Sequence, residues 1–178
     1  MNLYHFILCI CIFGISCSPT LTPLTKDIIS ENRWSESDLK KIQFYIAHDL
    51  VLTRRLSSGE STISNGKIIL ENGEKIEQVI IRQGTPGVLV FMPKEDRLAI
   101  SFDKESNDKF LIFGPNPKAR SRFVLLGKEW DVRTGKITYN NEVYETSTES
   151  AFNSLLVNLK RANKLSRSKE IAEGRKID

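Results

Sequence analysis

Tight turns separate short apolar segments along the middle of this chain, and they restrict its fold more than any other feature. Asn65-Gly66 and Asn72-Gly73 are pairs of residues that tolerate the positive φ required by a type I′ hairpin turn. If Asn72-Gly73 is such a turn, Ile69 pairs with Ile76 across it. Turns this short join antiparallel strands, because parallel strands need crossovers of a dozen or more residues. The turns therefore predict an antiparallel sheet.

Alternating segments around these turns predict the strands themselves. In the clearest segment, Arg97 to Asp103, the apolar residues Leu98, Ile100 and Phe102 alternate with others. This alternation is typical of an antiparallel strand with one solvated face. Further strands are predicted from Asp49 to Leu56 and at 75–82, 87–92, 97–103, 109–113 and 122–127, and a last hairpin at 136–144 turns at Asn140-Asn141 with Ile137 opposite Tyr144.

Two helices are predicted to flank the strands. Ser35 and Asp38 have the spacing of a capping box, and the apolar residues after them predict a helix of about three turns. A second capping box, at 146–149, precedes an i, i+3, i+4, i+7 apolar pattern that predicts a helix over 148–164. We therefore expect an α+β fold. It would have one twisted antiparallel sheet, or a small β-barrel or roll, of about six to nine short strands with an N-terminal and a C-terminal helix.

The first 17 residues differ in composition from the rest of the chain. Leu3 to Ile15 is a run of 13 residues that is apolar except for Tyr4 and His5. A transmembrane helix needs about 20 apolar residues, whereas a shorter run at the N-terminus is typical of a secretory signal peptide. The three cysteines, Cys9, Cys11 and Cys17, all lie in this part of the chain. The alternatives are an uncleaved anchor or a buried helix in which the cysteines are ordinary small apolar residues.

The segment Gly14-Ile15-Ser16-Cys17 resembles the lipobox of bacterial lipoproteins, in which small residues precede a cysteine. The resemblance covers about the first twenty residues. It implies that the thiol of Cys17 carries a diacylglyceryl group and that a peptidase cleaves between Ser16 and Cys17. The resemblance therefore implies a lipid anchor on Cys17 that holds the protein to a membrane of the bacterial cell envelope, and we expect the outer membrane.

Charge is unevenly distributed along the chain. Seven basic and three acidic residues lie from Lys160 onward, which leaves 19 of the 26 basic and 19 of the 22 acidic residues before it. The whole net charge of +4 therefore belongs to the C-terminal end. Such an end attracts anionic lipid headgroups or is simply a solvated helix terminus. We divide the chain into a signal peptide (1–16), a flexible tether (17–33), a single α+β domain (34–165) and a basic tail (166–178).

The sequence contains little that predicts catalysis. His48 is the single histidine after Cys17, so the chain lacks the ligands for a zinc site, and no metal or cofactor is predicted. The carboxylate pairs Glu95-Asp96 and Glu129/Asp131 lie at loop positions. We predict a non-catalytic binding or assembly domain. The alternative is an envelope enzyme of unknown class that uses carboxylates or His48.

The loop from Gly114 to Arg122 is the best candidate for a binding surface. It contains two prolines, which stiffen it, and then three cations, Lys118, Arg120 and Arg122. Stiff polar loops on a sheet scaffold often carry function. We interpret the three cations as a site for an anion or a partner, such as an anionic glycan or an envelope protein, although a plain solvated connection is the alternative. No nucleic-acid partner is expected for an exported chain.

Overall fold

The computed structural model of the protein describes residues 20–57 and 66–167. The signal peptide, the cleavage and lipidation positions Ser16 and Cys17, the turn residue Asn65 and the tail from 168 onward lie outside the described residues.

Thirteen short strands in these two ranges form two antiparallel sheets. The strands are β1 (Thr22–Pro23), β2 (Phe44–Ile46), β3 (Leu50–Arg55), β4 (Lys67–Glu71), β5 (Glu74–Ile81), β6 (Pro86–Lys94), β7 (Arg97–Ser101), β8 (Phe110–Asn116), β9 (Arg122–Leu125), β10 (Glu129–Trp130), β11 (Thr134–Tyr139), β12 (Glu142–Ser147) and β13 (Leu155–Val157). The helices are α1 (Lys26–Glu31), α2 (Glu36–Leu39) and α3 (Leu159–Arg167), with 3-10 helices at Pro117–Ala119 and Thr148–Phe152.

The antiparallel architecture is as predicted, but the number of sheets is not. The first sheet has the order β1-β13-β2-β6-β7-β8-β9, and the second has the order β10-β11-β12-β3-β5-β4. The expected single sheet is therefore replaced by two, and they do not form a closed barrel. Their inner faces share one core, to which Leu50 and Leu52 contribute from the second sheet and Leu98 and Ile100 from the first.

The hairpin at Asn72-Gly73 and the hairpin at Asn140-Asn141 are confirmed together with their registers. Asn72 and Gly73 have φ values of 51° and 83°, and Ile69 pairs with Ile76. Asn140 and Asn141 have φ values of 50° and 62°, and Ile137 pairs with Tyr144. In both hairpins, residues that tolerate positive φ permit a turn whose twist matches that of the strands.

The predicted N-terminal helix begins where expected but is much shorter. Ser35 Oγ accepts a hydrogen bond from the Asp38 N–H (3.3 Å), and the Asp38 carboxylate accepts one from the Ser35 N–H (3.0 Å), which completes the capping box. The helix α2 nevertheless ends at Leu39. The next apolar residues are needed in β2, where Phe44 and Ile46 are completely buried.

The predicted C-terminal helix over 148–164 is wrong. Leu155 and Val157 are completely buried and pair in β13 with Ile46 and Phe44. The apolar residues of this segment fit a helical spacing and also the alternation of a strand. Pairing with β2 makes the segment a strand. The helix α3 starts only at Leu159.

The described part of the predicted tether is packed against the first sheet. Residues 22–31 contain β1 and α1, and Leu24 between them is completely buried. The Leu24 N–H donates to the Leu155 carbonyl (2.8 Å), and the Leu24 carbonyl accepts from the Phe123 N–H (2.9 Å). Because Leu24 bonds to both neighbours, it connects β9 with β13.

The strand β7 is buried on both faces where one solvated face was expected. Ala99 and Ser101 are both buried. In register, Ala99 lies between Phe91 of β6 and Ile112 of β8, whose larger side chains stand on either side of it. The Ser101 hydroxyl donates a hydrogen bond to the carbonyl of Ser106 (3.0 Å). This bond satisfies the hydroxyl in its buried position.

A buried ionic group lies in the second sheet. The carboxylate of Glu77, on β5, is fully buried and accepts hydrogen bonds from Arg54 Nε (3.2 Å) and Nη2 (2.9 Å) and from the Tyr144 hydroxyl (3.1 Å). Burial, together with the Glu77 charge, raises the pKa of Tyr144 to about 12, so its hydroxyl remains a donor. These contacts join the three adjacent strands β12, β3 and β5.

Replacing Arg54 by methionine is expected to lower the free energy of unfolding by about 3–5 kcal/mol, because the Glu77 charge stays buried without its cation. The matched control is Arg55→Met, which removes the neighbouring, exposed ion pair with Glu74 (3.3 Å). This control is expected to change the free energy by less than about 1 kcal/mol. Urea unfolding followed by circular dichroism measures both variants. Equal losses would contradict the assignment of a structural role to the buried pair.

Candidate functional site

A half-open cleft of about 990 Å³ lies between α1, α2 and the turn that joins β6 to β7. Its lining residues are Lys26, Ile29, Ser30, Arg33, Trp34, Ser35, Glu36, Leu39, Met92, Lys94, Glu95, Asp96 and Phe123. We call it the α1–α2 cleft. Its volume lies at the upper end of the range of about 300–1,000 Å³ that is usual for ligand sites.

The corner between α1 and α2 is built by local hydrogen bonds. Thr25 caps α1, since its Oγ1 accepts from the Ile28 N–H (3.2 Å). At the other end Arg33 has a φ of 51°, and the N–H groups of Arg33 and Trp34 donate to the carbonyls of Ser30 and Ile29 (3.1 Å each). This is the Schellman arrangement, which reverses the chain after a helix. The reversal places Trp34 in the floor of the cleft, directly before the Ser35 cap of α2.

The floor of the cleft is apolar and continuous with the core. Trp34, Leu39 and Phe123 are buried, while Ile29 and Met92 are half-buried against the same cluster. The Trp34 indole Nε1 is buried and has no hydrogen-bond partner within the described residues. A buried donor without an acceptor costs about 1–3 kcal/mol. A ligand with an apolar group is therefore matched to this floor.

The rim of the cleft carries three cations and three carboxylates, but they are not equally paired. Glu36 pairs with Lys40 (2.8 Å), and Asp96 lies 3.5 Å from the Nε of Arg97. By contrast, none of the rim cations forms an ion pair within residues 20–57 and 66–167; these cations are Lys26, Arg33 and Lys94. The charge left uncompensated around the cleft is therefore mainly positive, and it favours an acidic ligand.

The cations predicted as an anion or partner site flank the cleft and do not line it. Lys118 lies in the 3-10 helix, Arg120 caps it, and Arg122 begins β9. All three side chains are exposed, and none pairs with a carboxylate in the described part of the chain. The Lys26 N–H donates to the carbonyl of Ser121 (3.2 Å), so this cationic loop runs beside α1. It extends the positive rim along one side of the α1–α2 cleft.

Unfavourable backbone conformations are concentrated near this site. Six residues other than glycine have positive φ in the described ranges, and three of these are hairpin asparagines. The other three are Arg33 (51°), Arg120 (55°) and Ser121 (54°). Positive φ is disfavoured for such side chains, and it persists where the surrounding structure imposes it, as the Schellman arrangement does at Arg33. Two of the three are arginines beside the cleft.

Most of the remaining candidate residues lie outside the α1–α2 cleft. His48 is exposed outside the cleft, and its backbone is held by the Asn153 side chain (3.1 and 2.9 Å). Glu129 pairs with Lys136 (2.8 Å). Asp131 closes a turn, and hydrogen bonds from the N–H groups of Thr134 and Arg133 lower its pKa. Of the proposed carboxylates, only Glu95 and Asp96 line the cleft.

Two negative findings apply to the described part of the chain. No group of three or more histidine, cysteine, aspartate or glutamate side chains there is placed to hold a metal ion. None of its helices has the length and apolar character needed to cross a bilayer.

Comparison of the chain with protein-family models, with curated proteins and with solved structures finds no match.

Replacing Arg33 by glycine is expected to raise the free energy of unfolding by up to about 1 kcal/mol, because glycine adopts positive φ without a Cβ clash. Arg33→Ala removes the same guanidinium but keeps the clash, so it serves as the matched variant and is expected to give no such gain. Chemical unfolding of both proteins isolates the backbone contribution. If the two variants were equally stable, strain at this position would be disproved.

Proposed function

We propose that this protein is a lipid-anchored protein of the bacterial cell envelope whose domain is a non-catalytic binding or assembly module. The observation that carries the binding role is the α1–α2 cleft, which combines an apolar floor with rim cations that form no ion pair within the described ranges. The anchoring role is supported by the lipobox-like residues that end at Cys17. The proposed membrane is the outer membrane, and the proposed cleavage lies between Ser16 and Cys17.

The thiol count supports the proposed anchor. Cleavage before Cys17 removes Cys9 and Cys11, and lipidation uses the single thiol that remains. The mature chain then has no free thiol and no possible intramolecular disulfide, which suits an oxidising compartment. One acyl chain binds a membrane only weakly, whereas two or more chains give stable anchoring.

The chemistry of the cleft favours a segment of another envelope protein as the partner. An apolar side chain of that segment would fill the space above Trp34, Leu39 and Phe123, in the manner of an interface anchor. Acidic residues beside it would meet Lys26, Arg33 or Lys94, and then the cationic loop at Arg120 and Arg122. An anionic glycan would satisfy the cations but would leave the apolar floor unused.

A carboxylate-based enzyme is the second candidate, because Glu95 and Asp96 lie on the rim of the same cleft. In that case the bound segment would be a substrate and would be chemically changed. If the domain is a non-catalytic binding module, the bound segment is released chemically unchanged.

Intact-mass analysis of the membrane-extracted protein is expected to show a chain that begins at Cys17 and carries acyl groups. Cys17→Ala is the control and is expected to keep its leader and to carry no acyl mass. A wild-type chain that begins at Met1, or an acyl mass that persists in the Cys17→Ala protein, would refute the anchor. Because the residue three before the cysteine is Gly14, where Leu is usual in the lipobox, Gly14→Leu is expected to increase the processed fraction.

Acidic peptides with a central Leu or Phe are expected to change the fluorescence of Trp34 on binding. The chain has two tryptophans, so a Trp130→Phe background leaves Trp34 as the single reporter. The combined Lys26→Glu and Lys94→Glu change is expected to weaken binding about tenfold or more, because two attractive charges become repulsive. The matched control is a double reversal of exposed lysines outside the cleft, Lys67→Glu and Lys75→Glu.

Peptides of the same composition with lysine in place of the acidic residues are expected to bind much more weakly. Equal binding of both peptide sets, or tighter binding of a sulfated glycan, would overturn the choice of partner. Cleavage or other covalent change of the peptide, detected by mass spectrometry and lost in Asp96→Asn, would replace the binding module by the enzyme.

A further inference from the structure

The outer side of α3 carries a cluster of exposed cations that do not line the α1–α2 cleft. Lys160, Arg161 and Lys164 project from the helix, and Lys41 lies across the narrow hollow between α3 and α2. We define these four residues as the α3 patch. We propose that the α3 patch binds the anionic lipid headgroups of the membrane that holds the protein, and so orients the domain. This inference rests on the proposed anchor at Cys17.

The path of the described chain places Thr20 beside the start of α3. Thr22 pairs with Val157 and Pro23 with Leu156 in the antiparallel register of β1 and β13. Continuing that register, Thr20 is level with Leu159, the first residue of α3. The chain upstream of β1 therefore emerges at the end of the domain where α3 begins.

Only a short stretch of chain separates Cys17 from Thr20, the first described residue. Three peptide steps separate Cys17 from Thr20, and an extended chain spans at most about 3.3–3.6 Å per residue, which gives a reach of about 10–11 Å. The attraction between a basic segment and an anionic leaflet acts over about a Debye length, roughly 8–10 Å. A lipid on Cys17 would thus keep Thr20 within about 10–11 Å of the headgroups, which allows the start of α3 to approach within electrostatic range.

The described residues provide no carboxylate that pairs with a cation of the α3 patch. Ala162 is buried and Leu159 packs against the core, which leaves the basic side chains on the outer side of the helix. None of the four forms an ion pair within the residues that the structure describes. The neighbouring carboxylate in the hollow is Asp38, which is bonded to the Ser35 cap (3.0 Å), while Glu36 pairs with Lys40. The patch therefore presents a net positive charge to its surroundings.

The cationic loop at Lys118, Arg120 and Arg122 provides an internal control. It has the same number of cations as the exposed side of α3, but it lies at the other end of the adjoining strands. Arg122 pairs with Thr25, five residues farther along the chain than Thr20, which corresponds to about 17 Å in an extended segment. Only the α3 patch lies at the end where the anchor leaves the domain.

The first test uses the mature chain with Cys17→Ala, which has no lipid, and vesicles of phosphatidylcholine with or without phosphatidylglycerol. The Lys160→Glu, Arg161→Glu and Lys164→Glu protein is expected to bind the anionic vesicles at least tenfold more weakly at low salt, since each basic residue near such a surface contributes to binding. Reversal of Lys118, Arg120 and Arg122 is the matched control and is expected to weaken binding less, because further basic residues follow α3 in the chain and none follows this loop before Lys128. Circular dichroism and thermal unfolding confirm that both triple variants are folded.

The second test uses the lipidated protein and depends on its lack of other thiols. Once Cys17 is acylated, Lys164→Cys and Lys118→Cys each introduce a single reactive thiol for a fluorophore. A headgroup spin label in the vesicles is expected to quench the probe at 164 several times more strongly than the probe at 118. High salt is expected to reduce that difference, because it screens the patch.

The outcomes separate this inference from the anchor on which it rests. Equal quenching at 164 and 118 in a protein whose acyl mass is confirmed would overturn the α3 patch and leave the anchor intact. Loss of vesicle binding in both charge-reversed proteins would also overturn it, because a general electrostatic effect would then be sufficient. A chain that proves unlipidated but loses anionic-vesicle binding only in the α3 variant would refute the anchor and support the patch.

Discussion

Antiparallel pairing through tight turns is the constraint on which the rest of this structure depends. Each two-residue turn fixes the register of its strands, and the register decides which side chains point inward. The two sheets can then cover each other with one apolar face each. Leu24 completes the arrangement, because its backbone bonds to both Leu155 and Phe123. Without that connection, α1 would not lie beside β9, and the cleft would lose one wall.

The hairpins could be predicted from the sequence, but the length of α2 and the strand β13 could not. Asn72 and Asn140 carry a local conformational preference that tertiary contacts do not override. Leu155 and Val157, in contrast, satisfy a helical spacing and a strand alternation together, and only the pairing with β2 decides between them. The capping box at Ser35 was equally visible, yet a cap sets where a helix starts and not how long it continues.

The cleft was not visible in the sequence because its walls come from distant segments. Trp34, Met92 and Phe123 meet only once the first sheet has formed and α1 and α2 pack against it. The cations of the loop after Pro117 could be recognised, since they lie within five residues of the chain, but their position beside α1 depends on long-range contacts such as the pairing of Thr25 with Arg122. The positive φ of Arg33 was not predicted either, because the position that ends α1 carries an arginine and not the glycine that usually adopts this conformation.

The placement of β1 has a mechanical consequence under the proposed anchoring. Any pull between membrane and partner would enter the domain at Thr20 and load β1, which pairs with β13 through only two residues. Those two pairs can peel one after the other. Leu24 resists the same pull differently, because it is buried and its backbone bonds to a residue on each side. Both hydrogen bonds must break together before Leu24 can leave. The domain would therefore yield a short length of extra tether under load before its core is disturbed.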